Sequence, residues 1–206
     1  MKGKNVVITG AFGALGTAVR AAFEQVGATL HTPPAELLDL TDEAGVVKYY
    51  ASLPPLWASV HLAGGYATSP FTETSLAEMK RQWDMNFVTA FLCSREAVKR
   101  GASRIVNTVS RVVAEPVGGA VAYSTSKAAL VTLTQSLAVE LRPKGVLVNA
   151  VAPSIMDTPA NRKAMPDADP AKWPKTAEVA KAIVFLASEE NALTSGAVLP
   201  VYGQIG

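Results

Sequence analysis

Short apolar, β-branched runs alternate along this chain with longer stretches whose apolar positions recur at helical spacing. The first run, Asn5–Thr9, shows no polar alternation, as expected of a strand covered on both faces of a parallel sheet. Leu15, Val19, Ala22, Phe23 and Val26 then follow at helical intervals, which predicts a helix from Gly13 to Val26 terminated by Gly27. The same reasoning predicts further strands at Ala28–Thr32, Leu37–Leu40, Ser59–Leu62, Arg104–Thr108, Val146–Ala150 and Ala197–Val201. It predicts a helix capped by Thr41 and running to Leu53, and a long one opened by Ser75 and ending near Arg100. Two more cover Ala122–Leu141 and Thr176–Ser188. Strand and helix in regular turn specify an α/β fold, a single-domain doubly wound parallel sheet over residues 1–206 with right-handed crossovers. One interval departs from the pattern. Pro33-Pro34 leaves room for a turn between the second and third strands but none for a crossover helix, so the fold is shortened there.

Composition narrows the partners. Of 206 residues, 49% are hydrophobic and 17% charged, which excludes a disordered chain. The net charge is +2 and the Lys and Arg residues are scattered, so no basic stripe recommends nucleic acid. The single cysteine, Cys93, excludes an internal disulfide and reads as core packing, and His31 and His61 lack neighbours at metal-ligand spacing. The apolar run Val6–Ile8 is too short for a signal peptide, and no stretch reaches the ~18–20 apolar residues of a membrane span. A cytoplasmic protein with a small-molecule substrate, no metal and no membrane partner is the expectation.

The first strand runs into Thr9-Gly10-Ala11-Phe12-Gly13-Ala14-Leu15-Gly16, which opens the first helix. In a Rossmann-type sheet such a turn holds a dinucleotide. Gly10 permits the tight turn, Gly13 lets a pyrophosphate approach the backbone, and Gly16 lets helix pack on sheet, with free N–H groups and a positive dipole end facing the phosphates. A tight turn that binds nothing is the bland alternative. Asp39 is placed to accept from an adenine amino group or, equally, to cap the helix that follows it. Ala63-Gly64-Gly65 leaves the end of the fourth strand bare for adenosine, or is an ordinary glycine turn. At the end of the second strand His31-Thr32-Pro33-Pro34 supplies neither the acid that binds a ribose diol nor the base that accepts a 2′-phosphate, so NAD(H) and NADP(H) both stay open.

Tyr123 and Lys127 lie four positions apart on one helix, hence on one face, and Ser110 stands thirteen positions before the tyrosine. An ammonium beside a phenol favours the phenolate, and a tyrosine so placed exchanges a proton with a substrate oxygen near neutral pH. Taken singly, each has a plainer reading: a surface Tyr–Lys pair, a strand-terminal serine, and for Asn86 a polar residue inside a helix.

Together these residues resemble the short-chain dehydrogenase/reductase family over essentially the whole chain. The resemblance rests on the glycine-rich turn, Met85-Asn86-Phe87, the Ser110, Tyr123 and Lys127 spacing, Asn149-Ala150-Val151-Ala152-Pro153-Ser154, and the closing strand through Val201-Tyr202-Gly203. It implies an NAD(P)-dependent oxidoreductase interconverting a carbonyl and its alcohol, active as a homodimer or homotetramer. In it Tyr123 is the general acid, Lys127 lowers its pKa and binds the nicotinamide ribose, Ser110 holds the substrate oxygen, and Asn86 supports Lys127 through a water. The implied cofactor contacts are Gly10, Phe12, Gly13, Ala14, Leu15 and Gly16 in the turn; His31, Thr32, Asp39 and Leu40; Ala63, Gly64 and Gly65; Tyr123 and Lys127; and Pro153, Ser154, Ile155 and Thr158. Residues 154–175 read as a substrate lid in which Asn161, Arg162 and Trp173 are candidates to face a ring-shaped substrate, or else form a solvated loop with a packed tryptophan. Asp157 to Asp169, Trp173 and Ala63-Gly64-Gly65 are similar to the corresponding segments of dihydropteridine reductases, which implies reduction of a pterin or imine as the alternative. Ser110, and Pro34 near where those enzymes carry an Asp, depart from that subgroup. A non-catalytic dinucleotide sensor on the same fold is the reading from another class.

Overall fold

β1 (Asn5–Thr9) sends its side chains alternately into two helical layers. Val6 and Ile8 are buried with Leu15, Val19 and Phe23 of α1 (Ala14–Gln25) and with Val179 and Ile183 of α7 (Thr176–Ala187). Val7 is buried on the opposite face with Val46 and Tyr50 of α2 (Glu43–Ser52), Leu92 and Cys93 of α4 (Thr89–Lys99), and Ala138 and Leu141 of α5 (Val121–Leu141). Burial on both sides is why the run needs no polar positions. Each such aliphatic side chain contributes about 1.5–3 kcal/mol to the folded state.

The computed structural model describes residues 1–34 and 38–204. Among them the sheet has six parallel strands in the order β2-β1-β3-β4-β5-β6, with β2 (Thr29–His31), β3 (Ala58–His61), β4 (Arg104–Thr108), β5 (Leu147–Pro153) and β6 (Val198–Val201). The strand order reverses at β1, with β2 on one side and β3 on the other. Register puts Thr9 beside His61, His61 beside Asn107 and Thr108 beside Val151, so the carboxyl ends of β1, β3, β4 and β5 form one rim over the point of reversal. Ligands of doubly wound sheets bind at that rim.

The strand expected at Leu37–Leu40 is not formed. Leu37 lies outside the described residues, and Leu38 to Leu40 make a turn instead. Leu38 N–H donates to the Pro34 carbonyl and Asp42 N–H to the Asp39 carbonyl. Asp39 Oδ1 accepts from both the amide and the hydroxyl of Thr41, each at 2.8 Å. Thr41 is thereby engaged, and the cap of α2 falls one residue later, on Asp42, whose carboxylate accepts from Ala44 and Gly45.

The long helix opened by Ser75 has three parts: α3 (Leu76–Trp83), a π-helical stretch (Asp84–Val88) and α4. π turns inside α-helices collect at functional sites, and this one carries Asn86. No helix of the described residues is long and apolar enough to cross a membrane.

Candidate active site

Three of the turn's glycines have different reasons to be glycine. Gly10 has φ +65°, and a Cβ there would stand 2.7 Å from the Ala63 nitrogen. A Cβ on Gly16 would stand 2.1 Å from the Gly10 carbonyl oxygen. These two are needed by the fold. Gly13 is different: an added Cβ would meet nothing nearer than the Gly10 oxygen at 3.6 Å. It caps α1 without a side-chain hydrogen bond, and the first turn holds no acid. The first amides of α1 are thus left for an anion beside an open glycine surface, which fits a dinucleotide pyrophosphate. Thr9 ties this turn to its neighbour, its Oγ1 accepting from Leu62 N–H at 3.2 Å and Ala63 N–H at 3.3 Å.

The Ala63-Gly64-Gly65 wall is held from the π-helical stretch. Buried Asn86 accepts from Gly65 N–H at 3.1 Å and donates to the Gly65 carbonyl at 3.0 Å. Its amide is oriented in turn by Gln82, which is bonded to Glu78. A Cβ on Gly64 would fall 2.5 Å from Asn86 Oδ1 and 3.5 Å from Lys127 Nζ, so the lysine ammonium reaches the underside of this wall. The protein hydrogen bonds of Asn86 go to Gly65 and Gln82.

Tyr123, Ser110 and Lys127 meet at the carboxyl ends of β4 and β5. Ser110 lies close enough to the Tyr123 phenol to favour its ionised form, and its own Oγ also accepts from Val112 N–H. Lys127, only 6% exposed, donates to the Thr108 carbonyl at 2.8 Å with its nitrogen 5.8 Å from the Tyr123 ring centroid. The electrostatics differ from the sequence expectation. Burial pushes the phenol up, Ser110 opposes this, and Tyr66 adds to the rise. Burial outweighs any acidifying effect of the neighbouring ammonium, and it also lowers the pKa of Lys127 itself to about 8.

Beyond β5, Ser154 Oγ donates to the Tyr202 carbonyl at 2.9 Å, and Ile155 is exposed. Thr158 caps α6 (Pro159–Ala164), accepting from Asn161 N–H at 3.2 Å. Arg162 grips Asp157 with two hydrogen bonds, at 2.6 and 2.8 Å. Trp173 is 6% exposed, so the packed reading of that tryptophan holds. His31 is tied by Nε2 to Asn5 Oδ1 at 3.1 Å, at the end of β1 away from the glycine turn, and Leu40 packs on the core.

Residues not singled out from the sequence complete the arrangement. The Thr108 carbonyl seats Lys127. Tyr66 stands edge-to-face on Tyr123 with ring centroids 4.9 Å apart and an interplanar angle of 89°. One step deeper, buried His61 bonds Asn107 Oδ1 at 2.8 Å and Ser59 Oγ at 2.9 Å, and burial pushes its pKa down to about 4. The position of Tyr66 directly after Gly64-Gly65 was the one available signal for it.

A family model described as Enoyl-(Acyl carrier protein) reductase matches residues 1–203. The chain is 36% identical over 157 residues to an uncharacterized oxidoreductase, YohF, of Escherichia coli (strain K12), a match covering 70% of this chain and 62% of that protein, less than two thirds of its length. It is 30% identical over 242 residues to the galactitol 2-dehydrogenase of Rhizobium johnstonii, covering 98% of this chain and 94% of the relative. The solved structure of ElxO with NADP bound shares the fold at a TM-score of 0.90 and 27% identity, over 98% of each chain. With the glycine turn, the Ser110–Tyr123 pair and Lys127 at one rim, these matches place the chain: it belongs to the short-chain dehydrogenase/reductase family.

Proposed function

We propose that this protein is an NAD(P)-dependent oxidoreductase that interconverts a small carbonyl compound and its alcohol, with Tyr123 as general acid/base. The carrying observation is the convergence of Ser110, Tyr123 and buried Lys127, the last seated on the Thr108 carbonyl, at the rim that holds the open Gly13 surface. Gly10, Gly13, Ala14, Leu15 and Gly16 would hold the pyrophosphate, Ala63 to Gly65 the adenosine, and Pro153, Ser154, Ile155 and Thr158 the nicotinamide end. When bound, the nicotinamide supplies the hydride. Tyr123, held above its ordinary pKa, is protonated at neutral pH and gives its proton to the substrate oxygen in reduction. Ser110 donates to the same oxygen and orients it. The Lys127 ammonium, seated by Thr108, stabilises the phenolate as it forms. Asn86 keeps the Gly64-Gly65 wall in place.

Thr32 and Pro33 bring neither acid nor base to the end of β2, so the reading covers NAD and NADP alike. ElxO, of similar fold, is described with NADP bound. The dihydropteridine-reductase-like reading of residues 154–175 ranks second. Its support is the segment likeness, and packed Trp173 leaves it without the aromatic face a pterin would use. A homo-oligomer is supported by the apolar stripe of Leu76, Trp83, Phe87 and Phe91, where the Trp83–Phe87 and Phe87–Phe91 centroids are 4.6 and 6.4 Å apart. Sedimentation at the 21.5 kDa of one chain would refute it. The cytoplasm, with its pool of reduced nicotinamide, is the compartment this reading implies.

The test is a titration with NADH and NADPH followed by nicotinamide fluorescence, then addition of a ketone panel and quinonoid dihydropterin. Cofactor oxidation by a ketone is expected. Oxidation by the pterin alone would select the second reading, and tight binding with no turnover of either would select the sensor.

A further inference from the structure

We propose that Tyr66 contacts the substrate and selects uncharged carbonyl compounds bearing a flat apolar group beside the carbonyl. This rests on the carbonyl reading and specifies its substrate class. Tyr66 is 61% exposed although its ring lies against Tyr123, 4.9 Å between centroids. One part of the ring is therefore fixed on the proton donor, and the rest faces the space a substrate enters. Its place is set from both sides. Gly65 before it is held by Asn86, and beyond it Ser69 N–H donates to the Gly119 carbonyl at 2.8 Å, joining this loop to the turn that enters α5.

The surroundings reject charge. Leu62 to Thr72, which carries Tyr66, Pro116 to Ser126, which carries Tyr123, and Pro153 to Met156 at the end of β5 contain no acidic or basic side chain. Of the charges at their borders, Arg111 is paired with Glu115 at 2.6 Å and Asp157 with Arg162 at 2.6 Å, and Glu73, next to Thr72, is an anion that offers a carboxylate no counter-ion. The ammonium beside the phenol is seated on the Thr108 carbonyl. A carboxylate or phosphate on the substrate would lose water here without gaining a counter-ion, which is costly. A flat apolar group gains the exposed Tyr66 ring, with Ile155, 40% exposed just past β5, adding apolar surface.

The experiment compares kcat/KM for acetophenone, 2-butanone and pyruvate in the wild type, Tyr66→Ala and Tyr66→Phe. Wild type should rank them in that order. Tyr66→Ala should shrink the acetophenone advantage over 2-butanone by about tenfold, mainly through KM, as loss of an aromatic contact implies. Tyr66→Phe should keep it. Benzamide and benzoate as inhibitors of the wild type give a reading that needs no variant, and benzamide should bind tighter. An unchanged ratio in a folded Tyr66→Ala, a preference for pyruvate, or tighter binding of benzoate overturns the inference while leaving the carbonyl reading standing. A wild type that binds NADPH but reduces none of the three ketones overturns that reading and this inference with it.

Discussion

Replacing Lys127 by methionine separates what this residue contributes to folding from what it contributes to chemistry. The ammonium is buried, and desolvation lowers its pKa from the ordinary 10.5 to about 8. That fall corresponds to about 3 kcal/mol by which the charged form is less welcome in the folded protein than in the unfolded chain. The sign follows from proton counting. Between about 8 and 10.5 the unfolded chain holds the proton and the folded protein does not, so wild-type stability rises with pH across that window. Below it the penalty is fully present. Methionine carries no proton and has no such window. It also loses the charge-assisted bond to the Thr108 carbonyl, worth about 1.5–3 kcal/mol. The two effects nearly cancel at pH 7, where Lys127→Met should match wild type within about 1–2 kcal/mol. Relative to wild type, the variant should then lose about 3 kcal/mol between pH 7 and the upper end of the window. Urea unfolding followed by tryptophan fluorescence at a series of pH values reads this directly. A stability difference flat with pH would refute the argument that burial, rather than a charge partner, sets the state of Lys127. Turnover should be lost at every pH.

The glycine turn supplies a paired test. Gly16→Ala should destabilise the protein by about 3 kcal/mol or more, because its Cβ would meet backbone at 2.1 Å, whereas Gly13→Ala should unfold like wild type and lose cofactor affinity in the fluorescence titration. Neutral, buried His61, with its pKa near 4, makes the fold acid-sensitive: stability should fall as pH drops from 6.5 to about 4, by about 3 kcal/mol more than in a His61→Gln variant measured by urea unfolding. Asn86→Ala releases both backbone groups of Gly65 and should raise the cofactor Kd about tenfold, read by the same fluorescence, as loss of two part-buried hydrogen bonds implies. Tyr123→Phe should cut kcat by about 100-fold or more with the cofactor Kd little changed, as removal of a general acid implies. A near-wild-type rate would remove it as the acid.

What was legible in the sequence was set by near neighbours in the chain. The apolar runs buried on both faces, the turn from Thr9 to Gly16 and the helix that puts Tyr123 and Lys127 on one face all depend on local sterics and periodicity, whereas the helix missing after the second strand was misread, since α2 crosses from β2 to β3. The local signal also failed at Leu38 to Leu40, where two prolines and the Asp39–Thr41 hydrogen bonds make a turn of residues whose composition suits a strand. Sheet register and burial decided the rest. Only the folded chain brings the Thr108 carbonyl to Lys127, Gly65 to Asn86, Asn107 to His61 and Tyr66 to Tyr123. Burial also reversed the direction read from spacing alone: a lysine four residues on promises a more acidic phenol, but removing both groups from water disfavours the phenolate and the ammonium alike. Solvent exclusion belongs to the whole assembled layer of sheet and helices, and no local stretch of sequence contains it.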